Sequence, residues 1–201
     1  IGFPVEASFK SFIRNEWENP QNLQWHIKVN SYFSFFFGLN ESNMATLFPD
    51  GKIELNASNN YIRLHESSDF CTWRIAYSKK KKYHYTFKKG EFTCQFGLKT
   101  NIRNKYIKEV IIGELGYSEA NLALINEALS SLLRQLKKLK FISIVTIATN
   151  DYNEDIIRLL DQHNFRTKKN KIYFITKQYS KDNVDLTDEN WQLYRGDIDT
   201  W

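Results

Sequence analysis

Residues 106–148 read YIKEVIIGELGYSEANLALINEALSSLLRQLKKLKFISIVTIA, and this stretch decides the fold. Tyr106 to Leu115 contains Val110-Ile111-Ile112, an apolar run suited to a central strand covered on both faces. From Asn121 to Lys140, the residues Leu122, Ile125, Leu129, Leu132, Leu136 and Leu139 recur at three-four spacing, which predicts a long amphipathic helix. Arg134, Lys137, Lys138 and Lys140 gather near its end, where the helix dipole favours cations. Phe141 to Ala148 is apolar and rich in β-branched residues, as a buried strand requires. Strand, helix and strand in that order make a right-handed parallel crossover.

Working outward, Lys82 to Phe87 alternates Tyr83, Tyr85 and Phe87 on one face. Lys89-Gly90 turns the chain, and Glu91 to Lys99 returns with Phe92, Cys94, Phe96 and Leu98, so the pair predicts an antiparallel hairpin. Asn101 to Asn104 reads as a polar turn. Downstream, Asn153 to His163 carries Ile156, Ile157, Leu159 and Leu160 as a second helix, and Lys171 to Thr176 is a last strand. The expected class is α+β or mixed α/β: antiparallel hairpins followed by strand, helix, strand, helix, strand.

Upstream, Gly2-Phe3-Pro4 signals a turn, and Ala7 to Trp17 places Phe9, Phe12, Ile13 and Trp17 at helical spacing. Asn19-Pro20 is expected to stop that helix, and Leu23 to Val29 alternates as a strand. Ser67-Ser68-Asp69 offers a cap to a short helix or extended segment reaching Tyr77. The organisation reads as residues 1–37, a helix and strand left from an upstream lobe; 38–60, a linker with a short strand at Lys52 to Leu55; 61–179, the main domain; and 180–201, a tail. The first residue is Ile1 rather than Met, so further chain is expected before it.

Composition bounds the function classes. A chain of 201 residues with 42% hydrophobic and 25% charged residues is ordinary for a globular protein. Its net charge of +5 suits an anionic partner such as a phosphorylated cofactor, a nucleotide-sugar or RNA, and suits simple solubility equally. Cys71 and Cys94 make neither a metal spacing nor a disulfide framework, and read as two buried thiols in a reducing compartment rather than a bridge. No apolar run approaches the roughly 20 residues that span a bilayer. A cytoplasmic location is expected. His26, His65, His84 and His163 are scattered, with no metal-ligand spacing.

The order of elements and the segment Asn153-Glu154-Asp155-Ile156-Ile157-Arg158-Leu159-Leu160-Asp161-Gln162-His163-Asn164-Phe165 resemble the GNAT superfamily of acyl-coenzyme A transferases. That superfamily often ends its second helix as N-x-x-A-x-x-L-Y-E-K-x-G-F. Asn153, Leu159, the acid Asp161 and Phe165 match; Leu160 stands where many relatives have a tyrosine that protonates the leaving thiolate, and Asn164 replaces glycine. Asp69-Phe70-Cys71-Thr72-Trp73-Arg74 and the tail Asn190 to Asp199 are similar to segments of tandem GNAT-like proteins, distantly similar to FemAB-type transferases and often linked to bacterial surface polysaccharides. The resemblance implies the second lobe of a tandem protein, with its upstream lobe as a partner.

The resemblance also implies where chemistry sits. Acetyl-coenzyme A, or another acyl-coenzyme A, would place its pyrophosphate on backbone N–H groups opening the long helix. The stretch Leu115-Gly116-Tyr117-Ser118-Glu119-Ala120 corresponds to the glycine-rich turn Q/R-x-x-G-x-G/A, and lacks most of it. Ile112, Gly113, Gly116, Ser118, Ala120 and Asn153 are the positions expected to hold the cofactor. The competing reading is that Ser118 caps a structural helix. Glu109 and Glu114 flank the central strand's apolar run; Glu114, nearer its carboxyl end, is the candidate general base for an amine or amino-sugar acceptor, against the reading of a solvated strand-end acid. His163 is expected at a helix end, where the dipole favours its charge. No metal is implied.

Two other functions compete. One is a non-catalytic lobe that scaffolds a partner's site and exposes an apolar surface around Phe9, Phe12, Trp17 and Phe35 to Phe37. The weaker is nucleic-acid binding through Lys79 to Lys82, Tyr83 and Tyr85, which is equally a solvated hairpin end.

Overall fold

The computed structural model describes residues 3–4, 6–49, 81–150, 153–177, 191 and 193–194. The expected strand at Lys52 to Leu55, the segment Ser67 to Tyr77 with Cys71, His65 and most of the tail lie outside these residues. The described chain is a mixed α+β structure, in the order α1 (Glu6–Arg14), β1 (Glu18–Val29), a 3-10 turn (Ser34–Phe36), α2 (Glu41–Leu47), β2 (Lys82–Lys89), β3 (Phe92–Arg103), β4 (Ile107–Tyr117), α3 (Leu122–Lys138), β5 (Ile144–Asn150), α4 (Glu154–Gln162) and β6 (Arg166–Thr176).

Among the described residues, six strands form one sheet in the order β2-β3-β4-β5-β1-β6. β2, β3 and β4 pair antiparallel, and β4 pairs parallel with β5 through the α3 crossover. β1 pairs antiparallel with both β5 and β6, so the last two strands point the same way but are separated by the first. The strand assigned from sequence to an upstream remnant is therefore a member of the same sheet as the strands of residues 82–176, and its helix α1 contacts β6. Asn19 and Pro20 do not stop α1; it ends at Arg14, Glu16 takes the left-handed region at φ 62°, and Asn19 and Pro20 already belong to β1. The turn expected at Asn101 to Asn104 begins later, because β3 runs on to Arg103; Asn104 (φ 49°) and Lys105 (φ 67°) make the reversal.

The main core lies between one sheet face and the helices. Ile125, Leu129, Leu132 and Leu136 of α3 bury against Tyr83, Phe96, Val110, Ile112 and Val145, and α4 adds Ile156, Leu159 and Leu160. Met44 of α2 and the following Phe48 are fully buried here, so residues 41–48, within the expected linker, contribute to the core. On the other face, Leu23, Ala148, Phe174, Trp191 and Leu193 form a smaller cluster. No helix among the described residues is long and apolar enough to cross a membrane.

The end of α4 explains one departure in its sequence. The Phe165 N–H returns to the Leu160 carbonyl and the Asn164 N–H to the Asp161 carbonyl, the paired bonds of a Schellman ending. That ending requires a left-handed residue after the cap, and Asn164 has φ 59°. Asparagine is the side chain that best tolerates the place of glycine there. Asn164→Ala is expected to lower stability by about 1–2 kcal/mol, measured by urea unfolding; an unchanged midpoint would contradict it.

Candidate functional site

β4 and β5 are partners only part of the way. Their parallel ladder runs from Glu109 opposite Ile144 to Ile112 opposite Ile147. Beyond it both strands continue, β4 to Tyr117 and β5 to Asn150, without pairing each other. The departure coincides with a bulge: Gly97 of β3 faces Glu114, the next residue Leu98 faces Ile112, and Gly113 is the extra residue. A crevice at the carboxyl ends of a parallel pair is where open α/β sheets bind ligands.

The residues expected to hold a cofactor lie on β4, in the connection that follows it, and just before α4. Ile112 ends the ladder, Gly113 forms the bulge, and Gly116 lies in β4, all three buried. Ser118 and Ala120 are exposed in the connection to α3. Asn153 stands before α4, without a side-chain capping bond. Ser118 does not cap the long helix. Its N–H and Oγ bond the Thr93 backbone, tying the end of β4 to the start of β3, and the cap is Asn121, whose side chain accepts from the Leu124 N–H at 3.2 Å. One of the first free amides of α3 is thus already satisfied by the chain itself.

The chain's own tail enters the opening. Tyr194 forms an antiparallel bridge with Thr149. The other edge of Thr149 faces Gln24 of β1, so Tyr194 takes the edge that β4 has left. Asn150 fixes this arrangement: its side-chain oxygen accepts the Leu193 N–H at 2.6 Å, and its amide donates to the Trp191 carbonyl and to Gln21. Trp191 packs on Phe174 with ring centroids 5.0 Å apart. Leu193 joins the smaller cluster and Tyr194 the main core, so the tail runs through the gap from one side of the sheet to the other.

The two candidate acids differ sharply. Glu109 is 0% exposed and its carboxylate is saturated: Arg103 donates at 2.5 and 2.7 Å, Thr146 at 2.6 Å and Asn101 at 3.2 Å. Arg103 lies 5.2 Å from the centre of the Trp25 ring. A carboxylate so filled fixes β3, β4 and β5 together and has no lone pair left for a substrate proton. Glu114 is partly exposed and takes the Lys82 ammonium at 3.2 Å. Gly97 makes room for it, since a Cβ there would stand 2.7 Å from Glu114 Oε2 and 2.9 Å from its Cβ. The sequence does not connect Gly97 or Lys82 to Glu114, because the connection is cross-strand register, which no single segment displays.

Of the lysine run, Lys79 and Lys80 lie outside the described residues. Lys82 pairs with Glu114, and Lys89 with Glu127 at 2.6 Å. Tyr83 is buried, and the Tyr85 hydroxyl meets Ser131 at 2.7 Å. These rings face the core and offer no stacking platform. Among the described residues, no group of three or more His, Cys, Asp or Glu could hold a metal ion. Cys94 is a free, buried thiol that burial pushes up to about 12.

His163 corrects an expectation. It stands at the end of α4, yet its pKa is lowered: burial disfavours the charged ring, the Lys28 ammonium repels it, and a hydrogen bond to Asn126 only partly opposes them. His26 is also held below its ordinary value, by burial, with Asp161 opposing. Its Nδ1 meets Thr167 at 3.2 Å, and among the described residues Nε2 has no hydrogen-bond partner. A buried imidazolium would leave that N–H unsatisfied. Both rings are neutral in the folded chain at pH values where the unfolded chain begins to bind protons, so stability is full above the ordinary value of 6.5 and falls as pH drops below it towards the lowered values. Melting followed from pH 7.5 to 5.5 should show this loss, and His26→Gln with His163→Gln should flatten it; an equally steep profile in the double variant would assign the loss elsewhere.

No family model, no curated protein and no solved structure matches this chain.

Proposed function

We propose that the chain is a GNAT-like N-acyltransferase lobe, which transfers an acetyl or other acyl group from acyl-coenzyme A to an amine, with an amino-sugar of a bacterial surface polysaccharide as the acceptor class. The observation that carries the reading is the separation of β4 from β5 beyond Ile112 and Ile147, with the bulge at Gly113 beside it. In this reading the thioester carbonyl lies at the bulge, where strand amides around Ile111 to Gly113 polarise it. The acceptor nitrogen attacks, a tetrahedral intermediate forms, and the thiolate leaves. Glu114, carried on the same strand segment and partly exposed, accepts the amine proton once its pairing with Lys82 is exchanged for the substrate. The pyrophosphate would approach the start of α3 near Ser118 and Ala120, and Asn153 would border the site from α4. Leu160 is 1% exposed and supplies no acid, so in this reading the thiolate takes its proton from water.

A second reading is favoured by one specific observation. Trp191, Leu193 and Tyr194 occupy the opening, and a non-catalytic lobe that scaffolds a partner's site has no need to vacate it. Donor binding under the first reading requires the tail to move aside.

The test is thermal stability with and without excess acetyl-coenzyme A. A ligand at about 100 times its dissociation constant adds roughly 2.7 kcal/mol, and a clear rise in melting temperature is expected. Under the same reading Glu114→Gln lowers turnover by about 100-fold or more while leaving the melt unchanged. A cooperative melt that acetyl-coenzyme A does not shift would favour the scaffold.

A further inference from the structure

Seven residues after β1, from Ser31 to Phe37, hold five aromatic side chains that face outward: Tyr32 is 79% exposed, Phe33 70%, Phe35 63%, Phe36 84% and Phe37 44%. The other aromatics expected on an apolar surface are engaged within the chain. Phe9 stacks on Tyr173 at 4.1 Å, and Phe12 meets Trp17 edge-on at 5.4 Å. Among the described residues, Tyr106 of the β3–β4 turn is the one other exposed aromatic, and only this loop gathers several. Its backbone is firmly seated: Ser34 is fully buried, its hydroxyl bonds Ser143 at 2.8 Å, and its carbonyl accepts from the Lys108 ammonium at 2.9 Å. One buried serine thus holds the rings on either side of it out in water, against their hydration cost.

What flanks the loop is cationic. A cavity of about 770 Å³ separates the aromatic rings from Lys137 and Lys140. A second, of about 450 Å³, adjoins it through Val29, Asn30 and Lys137, and is lined by Lys28, Arg134 and His163. No acid lines either cavity. Arg134, Lys137 and Lys140 form no ion pair among the described residues. Lys28 and His163 are each disfavoured in their charged forms first by burial and then by a neighbouring cation, Lys137 and Lys28 respectively; an arriving anion would relieve the second cost.

We propose that this surface docks the protein on a membrane carrying anionic lipid, with the 32–37 rings entering the boundary between headgroups and acyl chains and the cations of β1 and α3 meeting the lipid phosphates. Aromatic rings favour that boundary because one part of it is apolar and the other wet. Basic residues beside such a surface gain from the negative potential of anionic lipids. The cores of protein interfaces, in contrast, are depleted in lysine. The docking is peripheral and needs no spanning helix.

The experiment is sedimentation of the whole chain with vesicles of phosphatidylcholine alone, or of phosphatidylcholine with an equal amount of phosphatidylglycerol. The chain is expected to pellet with the mixed vesicles and not with the neutral ones. Phe33→Ser with Phe36→Ser, and separately Lys137→Glu with Lys140→Glu, should each weaken binding by about tenfold or more, with an unchanged melting temperature because these side chains are exposed. Absence of binding to the mixed vesicles, or undiminished binding by the phenylalanine variant, would overturn the proposal. Full competition by soluble glycerophosphoglycerol would overturn it in favour of a free phosphoester. Self-association abolished by Phe33→Ser with Phe36→Ser, with no vesicle binding, would overturn it in favour of a second copy.

Discussion

Two adjacent parallel strands cannot separate inside a core unless something answers the backbone groups they abandon. Buried N–H and C=O groups left without partners cost about 1–3 kcal/mol each. The parting of β4 and β5 after Ile112 and Ile147 is therefore the constraint on which the surrounding structure depends. Gly113 absorbs the change of register, Gly97 leaves space for Glu114, and Tyr194 supplies the edge of β5 with a new partner. Asn150 then uses both ends of its amide to hold the tail in place. The proposed chemistry and the competing scaffold role arise at this one opening, and they differ only in whether the tail stays.

The two glutamates of β4 show how position on a strand sorts like residues into unlike tasks. Glu109 lies where β4 and β5 are still paired, within reach of Thr146, and Arg103 returns to it across the hairpin turn. Removing either member of such a buried pair strands the other, so it acts as a fixed cross-brace. Glu114 lies past the parting, partly exposed, with one lysine beside it. Under the proposed reaction this is the carboxylate that would exchange its partner for a substrate.

Much of the architecture was legible in the sequence because each element carries its own period. The three-four spacing of α3, the alternation of Tyr83, Tyr85 and Phe87, and the run Val110-Ile111-Ile112 are local signals, and the structure follows them closely. What was not legible is relational. Nothing in Glu18–Val29 states that both of its edges will be used by β5 and β6, since alternation reports faces and not edges. The roles of Gly97 and Lys82 depend on register across strands. The lowered pKa of His163 comes first from burial and then from Lys28, neither of which its own segment displays. The cap of α3 went to Asn121 because β4 extends to Tyr117 and Ser118 is bonded to Thr93 of β3.

The position of β1 imposes an order of events on a chain made from its amino end. It joins Leu23 to Asn150 and Gln21 to Phe174, contacts between residues far apart in sequence. Loop closure over such spans is slow, because its entropy is lost before any contact repays it. As the chain leaves the ribosome, β1 emerges first and both of its neighbours emerge last. Until they follow, it lacks the two partners of the finished sheet, and Trp25 and Ile27 lie on one face. Such a segment recruits other strands. Its polar alternates Gln24, His26 and Lys28 break what would otherwise be an apolar run. In that interval such polar alternates disfavour pairing between copies of the nascent chain.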